Sequence, residues 1–381
     1  MTDKYETIVL GSCNLEICIE DGSLAEKLLD LFPQGRKLYP IVEREQGNYL
    51  VRANNQFPNE KLQLLTEGKE VLEISKSKVK NVLAAGGGAN AAKVIAKLGG
   101  KILFVTSIGR EDDPNYQLMS TSLTEEPKVE FLNLTGRPAV GITLNVYGEG
   151  HQSTLLIYGG DGAWEEEEFK KQATQLINSA PSGAPIMAIA LSQPYLPLLD
   201  VALQARGKVE HLCPSRFQIN TLKQEYERYF LSTEILQVNI GELIDIYRYF
   251  SGLPERKLTE DNQVLTLLSG EIFGRWLNHK IATNSEKGGY FLQQGKRKAK
   301  RYLAYPVPGN FVDDTGCGDI FAGAFFWSYF LRKQTFEKSI EFAAACATFK
   351  IPSVGATGRL ATREEVEDWV EKHGPKIQSG G

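Results

Sequence analysis

Residues 313–326 constrain this chain more than any other stretch. They read Asp313-Asp314-Thr315-Gly316-Cys317-Gly318-Asp319, followed by Ile320-Phe321-Ala322-Gly323-Ala324-Phe325-Phe326. Two glycines around one small residue, with an acid at the mouth of a helix-length apolar run, describe a backbone pocket for an anion. The N–H groups of Gly316, Cys317 and Gly318 can approach a phosphate because no bulky side chain blocks them, and the helix that follows adds its positive N-terminal end. Asp319 then stands beside the anion. As a ligand it would repel the charge, whereas as a base it can take a proton from an attacking hydroxyl. Taken alone, the seven residues also fit an ordinary helix N-cap.

A second glycine turn, Ala85-Gly86-Gly87-Gly88-Ala89-Asn90, feeds a helix whose apolar face is Ala91, Val94, Ile95 and Leu98 and which Gly99 and Gly100 stop. In this order and separation, the two segments resemble the two signature regions of the ribokinase-like carbohydrate kinases, the PfkB family. In that family the first region helps hold a sugar, and the second carries the catalytic base and the anion hole. Further segments are similar along most of the chain. The run from Val9 to Glu16 looks like the family's opening strand, where an Asn and an Asp bind sugar hydroxyls; here Asn14 is present and Glu16 replaces Asp. The stretch Leu103 to Asp112 resembles the second strand and its loop. Asn239-Ile240-Gly241-Glu242 matches the Asn-x-x-Glu pattern that positions Mg²⁺ and phosphate. Residues 281–289 resemble the strand and turn that contact the nucleotide, and residues 355–358 and 362–366 the closing loop and last helix.

The resemblance implies a phosphotransferase using ATP and Mg²⁺, moving the γ-phosphoryl group to a hydroxyl of a small sugar or sugar-like molecule. Asp319 would be the general base, with the amides of Gly316, Cys317 and Gly318 as the anion hole. Cys317 takes a slot usually filled by Ala, and no His or Lys stands nearby in sequence to activate its thiol. Asn14, Glu16 and Asn90 would read the sugar with side chains, and Gly86 and Gly87 with backbone. Thr283, Ser285, Gly288 and Thr315 would meet the nucleotide. Asn239 and Glu242 would orient Mg²⁺ through water. Each polar candidate has a plainer reading: Asn14 ends a strand, Asn90 caps a helix, and Asn239 with Glu242 has the spacing of a capping box. Departures from the family fall on the acceptor side: Ala85 for a glycine, Gly87 in place of the lysine that some ribose-specific members carry nearby, Glu16, and Cys213 for the usual Asp before Pro214. Two alternatives stand beside the sugar kinase, a nucleoside kinase of the same fold and a non-catalytic sugar- or nucleotide-binding regulator. A dinucleotide-binding dehydrogenase is disfavoured because Gly86-Gly87-Gly88 lacks the G-x-G-x-x-G spacing.

Short apolar runs alternate with amphipathic stretches, the pattern of a parallel sheet between helices. The expected fold is α/β, a ribokinase-like three-layer sandwich with a mostly parallel central sheet and a small β lid. It forms one domain over residues 1–381, with lid strands inserted at about 14–60 and 138–160. Strands are expected at Thr7 to Leu10, Ile102 to Ile108, Pro185 to Leu191, Ile235 to Val238 and Lys280 to Thr283. Helices are expected at Ala89 to Leu98, Glu165 to Ser179, Leu222 to Tyr229, Ile240 to Tyr249, Asp319 to Leu331 and Phe336 to Ile351. Alternation over residues 138–158 predicts a β-hairpin. Residues 20–80 predict hairpin strands near Tyr39 to Val51 and a charged helix or linker near Leu62 to Val79. An exposed lid sheet can dimerise in this family, so the resemblance allows a homodimer through the lid.

With 381 residues, 42% hydrophobic and 24% charged, the chain has ample length for a large core. Its formal charge of −4 supplies no basic footprint for nucleic acid. Five scattered cysteines without a C-x-x-C pair argue for a reducing, cytoplasmic setting, and no run of 18 apolar residues points to a membrane. Plain readings also suit His151 at the hairpin turn, the acidic run Glu165 to Glu168, and the basic run Lys296 to Arg301, expected as an exposed turn or edge. Arg110 and Arg137 would matter only for a phosphorylated acceptor.

Overall fold

Thr7-Ile8-Val9-Leu10-Gly11 is apolar on both faces, and a strand buries both faces only inside a sheet covered on both sides. A computed structural model of the chain, describing residues 5–23, 51–52, 61–65, 71–109, 111, 114–125, 129–133, 142–148, 151–157, 166–191, 197–214, 219, 226–251, 261–270 and 278–378, places that run in such a position. Its strands are β1 (Thr7–Gly11), β2 (Asn14–Glu20), β3 (Val51–Arg52), β4 (Lys61–Leu65), β5 (Val71–Ser75), β6 (Val79–Ala85), β7 (Ile102–Thr106), β8 (Phe131–Asn133), β9 (Ile142–Gly148), β10 (His151–Ile157), β11 (Ile186–Ile189), β12 (Val209–Cys213), β13 (Thr233–Asn239), β14 (His279–Thr283), β15 (Gly289–Leu292), β16 (Lys300–Tyr302) and β17 (Ile377–Gln378). Its α-helices are α1 (Gly87–Lys97), α2 (Pro114–Thr124), α3 (Glu166–Ser179), α4 (Pro197–Arg206), α5 (Tyr226–Leu231), α6 (Ile240–Ser251), α7 (Asp261–Ser269), α8 (Cys317–Phe326), α9 (Phe336–Thr348) and α10 (Arg363–His373).

The main sheet runs β17-β16-β15-β14-β13-β12-β11-β1-β7-β8. It is parallel from β8 through β14 and antiparallel beyond. Alternate side chains of each strand feed two separate cores. Val9, Phe104, Met187 and Ile235 pack with α1, α8 and α9 on one face. Ile8, Leu10, Val105 and Leu236 pack with α3 to α6 on the other. These are the three expected layers.

A second sheet, β10-β9-β2-β6, stands apart from the first. The expected hairpin is β9–β10, with Gly148 opposite His151. Where the Leu62 to Val79 stretch is described, it is mostly strand instead of the expected charged helix or linker, with one 3₁₀ turn at Lys76–Lys78. Lys61–Leu65 and Val71–Ser75 pair as antiparallel strands, and β6 joins the lid sheet against β2. Alternation in Leu62-Gln63-Leu64 and Leu72-Glu73-Ile74 carries the strand period, which charge density in the flanking residues obscured. Residues 39–50 lie outside the described residues. The helix after Leu222 runs over Tyr226–Leu231, with 220–225 outside the description, and the one after Asp319 gives way to a π-helical turn at Trp327–Leu331. Lys296 to Lys298 form an exposed loop that leads into β16.

The lid is fastened beside the first glycine turn. Lys93 of α1, buried, donates its Nζ to Ala84 O and to Ser122 Oγ, each at 2.9 Å, and Ser122 Oγ accepts the Ala84 N–H at 2.9 Å. Burial lowers the Lys93 ammonium to about 8. One side chain thereby ties β6 to α1 and α2, two residues before Gly86.

Candidate active site

Strand order reverses at β1: the chain leaves it for β7 and β8, then returns to its other side at β11. In an open α/β sheet such a switch leaves a crevice beyond the carboxyl ends of the strands, the usual ligand position. Both glycine turns converge there. A Cβ on Gly88 would lie 2.6 Å from Gly11 Cα and 2.8 Å from Phe104 Cε2, so α1 can begin against β1 only with glycine at that position. A Cβ on Gly87 would lie 3.3 Å from Asp319 Oδ1. The two signatures, over 200 residues apart in sequence, therefore share one site.

Asp319 occupies the first turn of α8, and its Oδ2 accepts from Asn90 Nδ2 at 2.8 Å. Burial pushes the Asp319 carboxyl up to about 6, with the Asn90 hydrogen bond opposing in part. Asn90 Oδ1 is buried and has no partner among the described residues, so an unsatisfied acceptor atom stands beside Asp319. Gly316 adopts the left-handed conformation at φ 79°, and a Cβ there would lie 2.8 Å from Ala356 O. At Gly318, by contrast, a Cβ would meet nothing within 4 Å. Of the three expected anion-hole amides, that of Cys317 donates to Asp314 O at 3.2 Å. The Cys317 thiol donates to Ala347 O at 3.5 Å and is pushed up to about 12 by burial, so it is a neutral thiol at neutral pH. From the sheet, Gln237 Nε2 reaches Gly318 O at 3.4 Å. The Cys213 thiol, raised by burial, also feels both Asp319 and Glu242, which brings the two acids to the same end of the sheet.

Asn239 and Glu242 form a reciprocal cap on α6. The Asn239 N–H donates to Glu242 Oε2 at 2.8 Å, and the Glu242 N–H to Asn239 Oδ1 at 2.9 Å. The plain capping role is thus realised, at an exposed strand end. Asn239 pairs in register with Thr283, which adjoins the Ser285–Lys287 turn. Ser285 (φ 46°) and Gly288 (φ 84°) both hold positive φ there, and a Cβ on Gly288 would run into Tyr302 O. No group of three His, Cys, Asp or Glu side chains able to hold a metal occurs among the described residues. The hard oxygen donors of Asn239 and Glu242 suit Mg²⁺ held through water and shared with phosphates, rather than caged by protein.

The remaining sugar-side candidates separate. Asn14 is half-buried at the start of β2, opposite Ala85. Glu16 is 1% exposed, its Oε2 accepting from the Ala356 N–H at 2.9 Å and its Oε1 from Asn145 Nδ2. Burial raises its carboxyl. Its neighbours form a cluster that sequence reasoning missed. Asp313 Oδ2 pairs with Lys350 Nζ at 2.6 Å and also accepts from Tyr147 Oη at 2.9 Å and the Gly355 N–H at 3.0 Å. A lysine between Phe349 and Ile351 at the end of an apolar helix was the available signal. Arg110, Arg137 and the His151 side chain lie outside the described residues. No described helix is long and apolar enough to cross a membrane.

The profile of the family described as pfkB family carbohydrate kinase matches residues 61–363. A ribokinase of Haemophilus influenzae is 22% identical over 298 residues, covering 76% of this chain and 88% of its own. Among solved structures, the Arabidopsis thaliana ribokinase complexed with ribose and ATP superposes with a TM-score of 0.62 at 19% identity, over 97% of this chain and 99% of that one. A nucleoside kinase of Methanocaldococcus jannaschii does so with a TM-score of 0.59 at 16% identity, over 97% and 99%. At these identities the structural likeness carries the fold.

Proposed function

The chain belongs to the pfkB family of carbohydrate kinases, and from that premise we propose that it moves the γ-phosphoryl group of ATP to a hydroxyl of a sugar or sugar-like acceptor. The observation that carries this reading is Asp319, hydrogen-bonded to Asn90 at 2.8 Å, raised to about 6, and set directly after Gly318, where a Cβ would meet nothing within 4 Å. A carboxylate with that pKa is ionised at neutral pH yet basic enough to accept a proton usefully. Asp319 takes the proton of the acceptor hydroxyl as the oxygen attacks the γ-phosphorus in line. Asn90 orients the carboxylate with its N–H, while its open Oδ1 accepts from an acceptor hydroxyl. The amides of Gly316 and Gly318 receive the spreading charge of the phosphoryl oxygens, which is where most of the acceleration of a loose transition state arises, while the Cys317 N–H is engaged by Asp314 O at 3.2 Å. Asn239 and Glu242 would hold Mg²⁺ through water, and that ion when bound neutralises phosphate charge. Thr283, Ser285, Gly288 and Thr315 would line the nucleotide. Asn14, Gly86 and Gly87 would meet the acceptor, and Glu16 would shape that side from beneath the loop at Gly355 and Ala356.

ADP formation from Mg·ATP is measured across pentoses, hexoses, ketoses, aldonates, inositols, nucleosides and sugar phosphates. The expected result is turnover on one acceptor class that falls by roughly 10²–10⁴-fold in Asp319→Asn. Turnover on a nucleoside alone would replace the acceptor. Bound nucleotide without turnover on any acceptor would favour a non-catalytic regulator.

A further inference from the structure

We propose that Lys350 is a positioning residue for phosphoryl transfer, an internal cation that holds the Asp313–Gly318 turn in the shape that presents its amides to an anion. Lys350 and Asp313 form an ion pair whose side chains are both 0% exposed. Such a pair is a poor way to gain stability, because the desolvation of both charges can exceed their attraction and an apolar pair is often as stable. The position of the pair gives it another use.

The Lys350 ammonium grips one residue twice. Its Nζ lies 2.6 Å from Asp313 Oδ2 and donates to the Asp313 backbone O at 2.8 Å. The other carboxylate oxygen, Oδ1, accepts the Thr315 N–H at 2.8 Å, directly before Gly316. The next residue along from Lys350 fastens the same turn from the opposite side, since Ile351 O accepts the N–H groups of Val312 and Asp313 at 3.1 and 3.0 Å. Asp313 Oδ2 also holds the Gly355 N–H at 3.0 Å, which sets Ala356 against the face of Gly316 where a Cβ would otherwise stand. Both the turn and the wall behind it hang on one carboxylate, and Lys350 fixes that carboxylate. Its field reaches the pocket as well, since it counters the rise of the Cys317 thiol. Without it, Asp313 and the neighbouring Glu16 would set buried negative charge near an incoming phosphoryl group. Being fully buried, Lys350 touches no substrate and acts through Asp313.

The kinetic arm of the test rests on the kinase reading, and the structural arm does not. Amide hydrogen exchange over residues 312–320 and steady-state turnover are compared for the full chain, Lys350→Ala and Lys350→Met. Each is measured in ammonium, potassium and tetramethylammonium chloride at fixed ionic strength. Lys350→Ala is expected to lose protection at the hydrogen-bonded amides of the turn, Asp313, Thr315 and Cys317. Its kcat should fall on the order of 10²-fold, the cost of misplacing a catalytic group by about an ångström, with acceptor KM within about threefold. Ammonium, small enough for the oxygen-lined hole, is expected to restore both readouts, and tetramethylammonium neither. Lys350→Met fills the volume without the charge and should behave as Lys350→Ala without rescue. Unchanged protection in Lys350→Ala, or recovery of both readouts by Met, overturns the proposal. Should the single variants fail to fold, Asp313→Asn/Lys350→Met removes both buried charges, and full protection and kcat in that variant would overturn it equally. A wild-type chain without turnover would remove the kinase reading and leave the exchange result to decide.

Discussion

Asp319 is legible in sequence as an acid after a glycine pair, but its basicity is not. That follows from enclosure at the crevice and from Asn90, 229 positions away in sequence. Because burial raises the carboxyl to about 6, the base is protonated below that value and free above it. The expected kcat/KM profile rises as pH climbs through about 6 and then levels, and a profile flat from pH 5 to 8 would exclude Asp319 as the titrating base. The linkage has a matching sign. A raised native pKa means that ionising Asp319 costs stability, so Asp319→Asn should unfold in urea at the same or a higher midpoint than the wild type at pH 7. Asn90 was legible as a polar residue in a glycine turn, assigned to sugar alone. Only the packing of α1 against α8 reveals that it also holds the Asp319 carboxylate.

Glycines with similar sequence surroundings have opposite duties within their elements. At Gly88 the would-be Cβ meets the backbone of Gly11, which cannot yield cheaply, because this close approach is what starts α1 against β1. Gly88→Ala should destabilise by about 1–3 kcal/mol, read from the urea midpoint. At Gly318, in the first turn of α8, the same methyl meets open space. Gly318→Ala should therefore keep or gain stability, by up to about 0.5–1 kcal/mol from helix propensity, while turnover falls because the methyl takes the space an anion needs. Loss of stability without loss of turnover in Gly318→Ala would contradict the anion-pocket assignment. Sequence alone marks both residues as glycines near helix starts. Which one is packed and which one open depends on partners distant in sequence.

Across the whole molecule, the lid and the anion turn meet at Asp313. Tyr147 of β9 donates to the carboxylate that also holds Thr315 and Lys350, and Glu16 of β2 holds Ala356 from the same side. Removing the Tyr147 hydroxyl should cost about 1 kcal/mol, since Asp313 keeps its other donors, and should lower kcat/KM beyond what that loss of stability explains. Thermal unfolding and kinetics of Tyr147→Phe measure the two. The alternation of apolar runs and amphipathic helices determined the layered α/β fold, and two glycine signatures marked the Asp313–Asp319 turn on which the proposed base and anion site rest, because both depend on local periodicity and on backbone freedom within a few residues. Three features were decided only by tertiary structure: the strands of the 61–85 segment, the Asn90–Asp319 contact, and the buried Asp313–Lys350 cluster joining lid to turn. Burial and pairing of charge depend on neighbours brought together from far along the chain, and no local pattern encodes which acid will meet which lysine once water is gone.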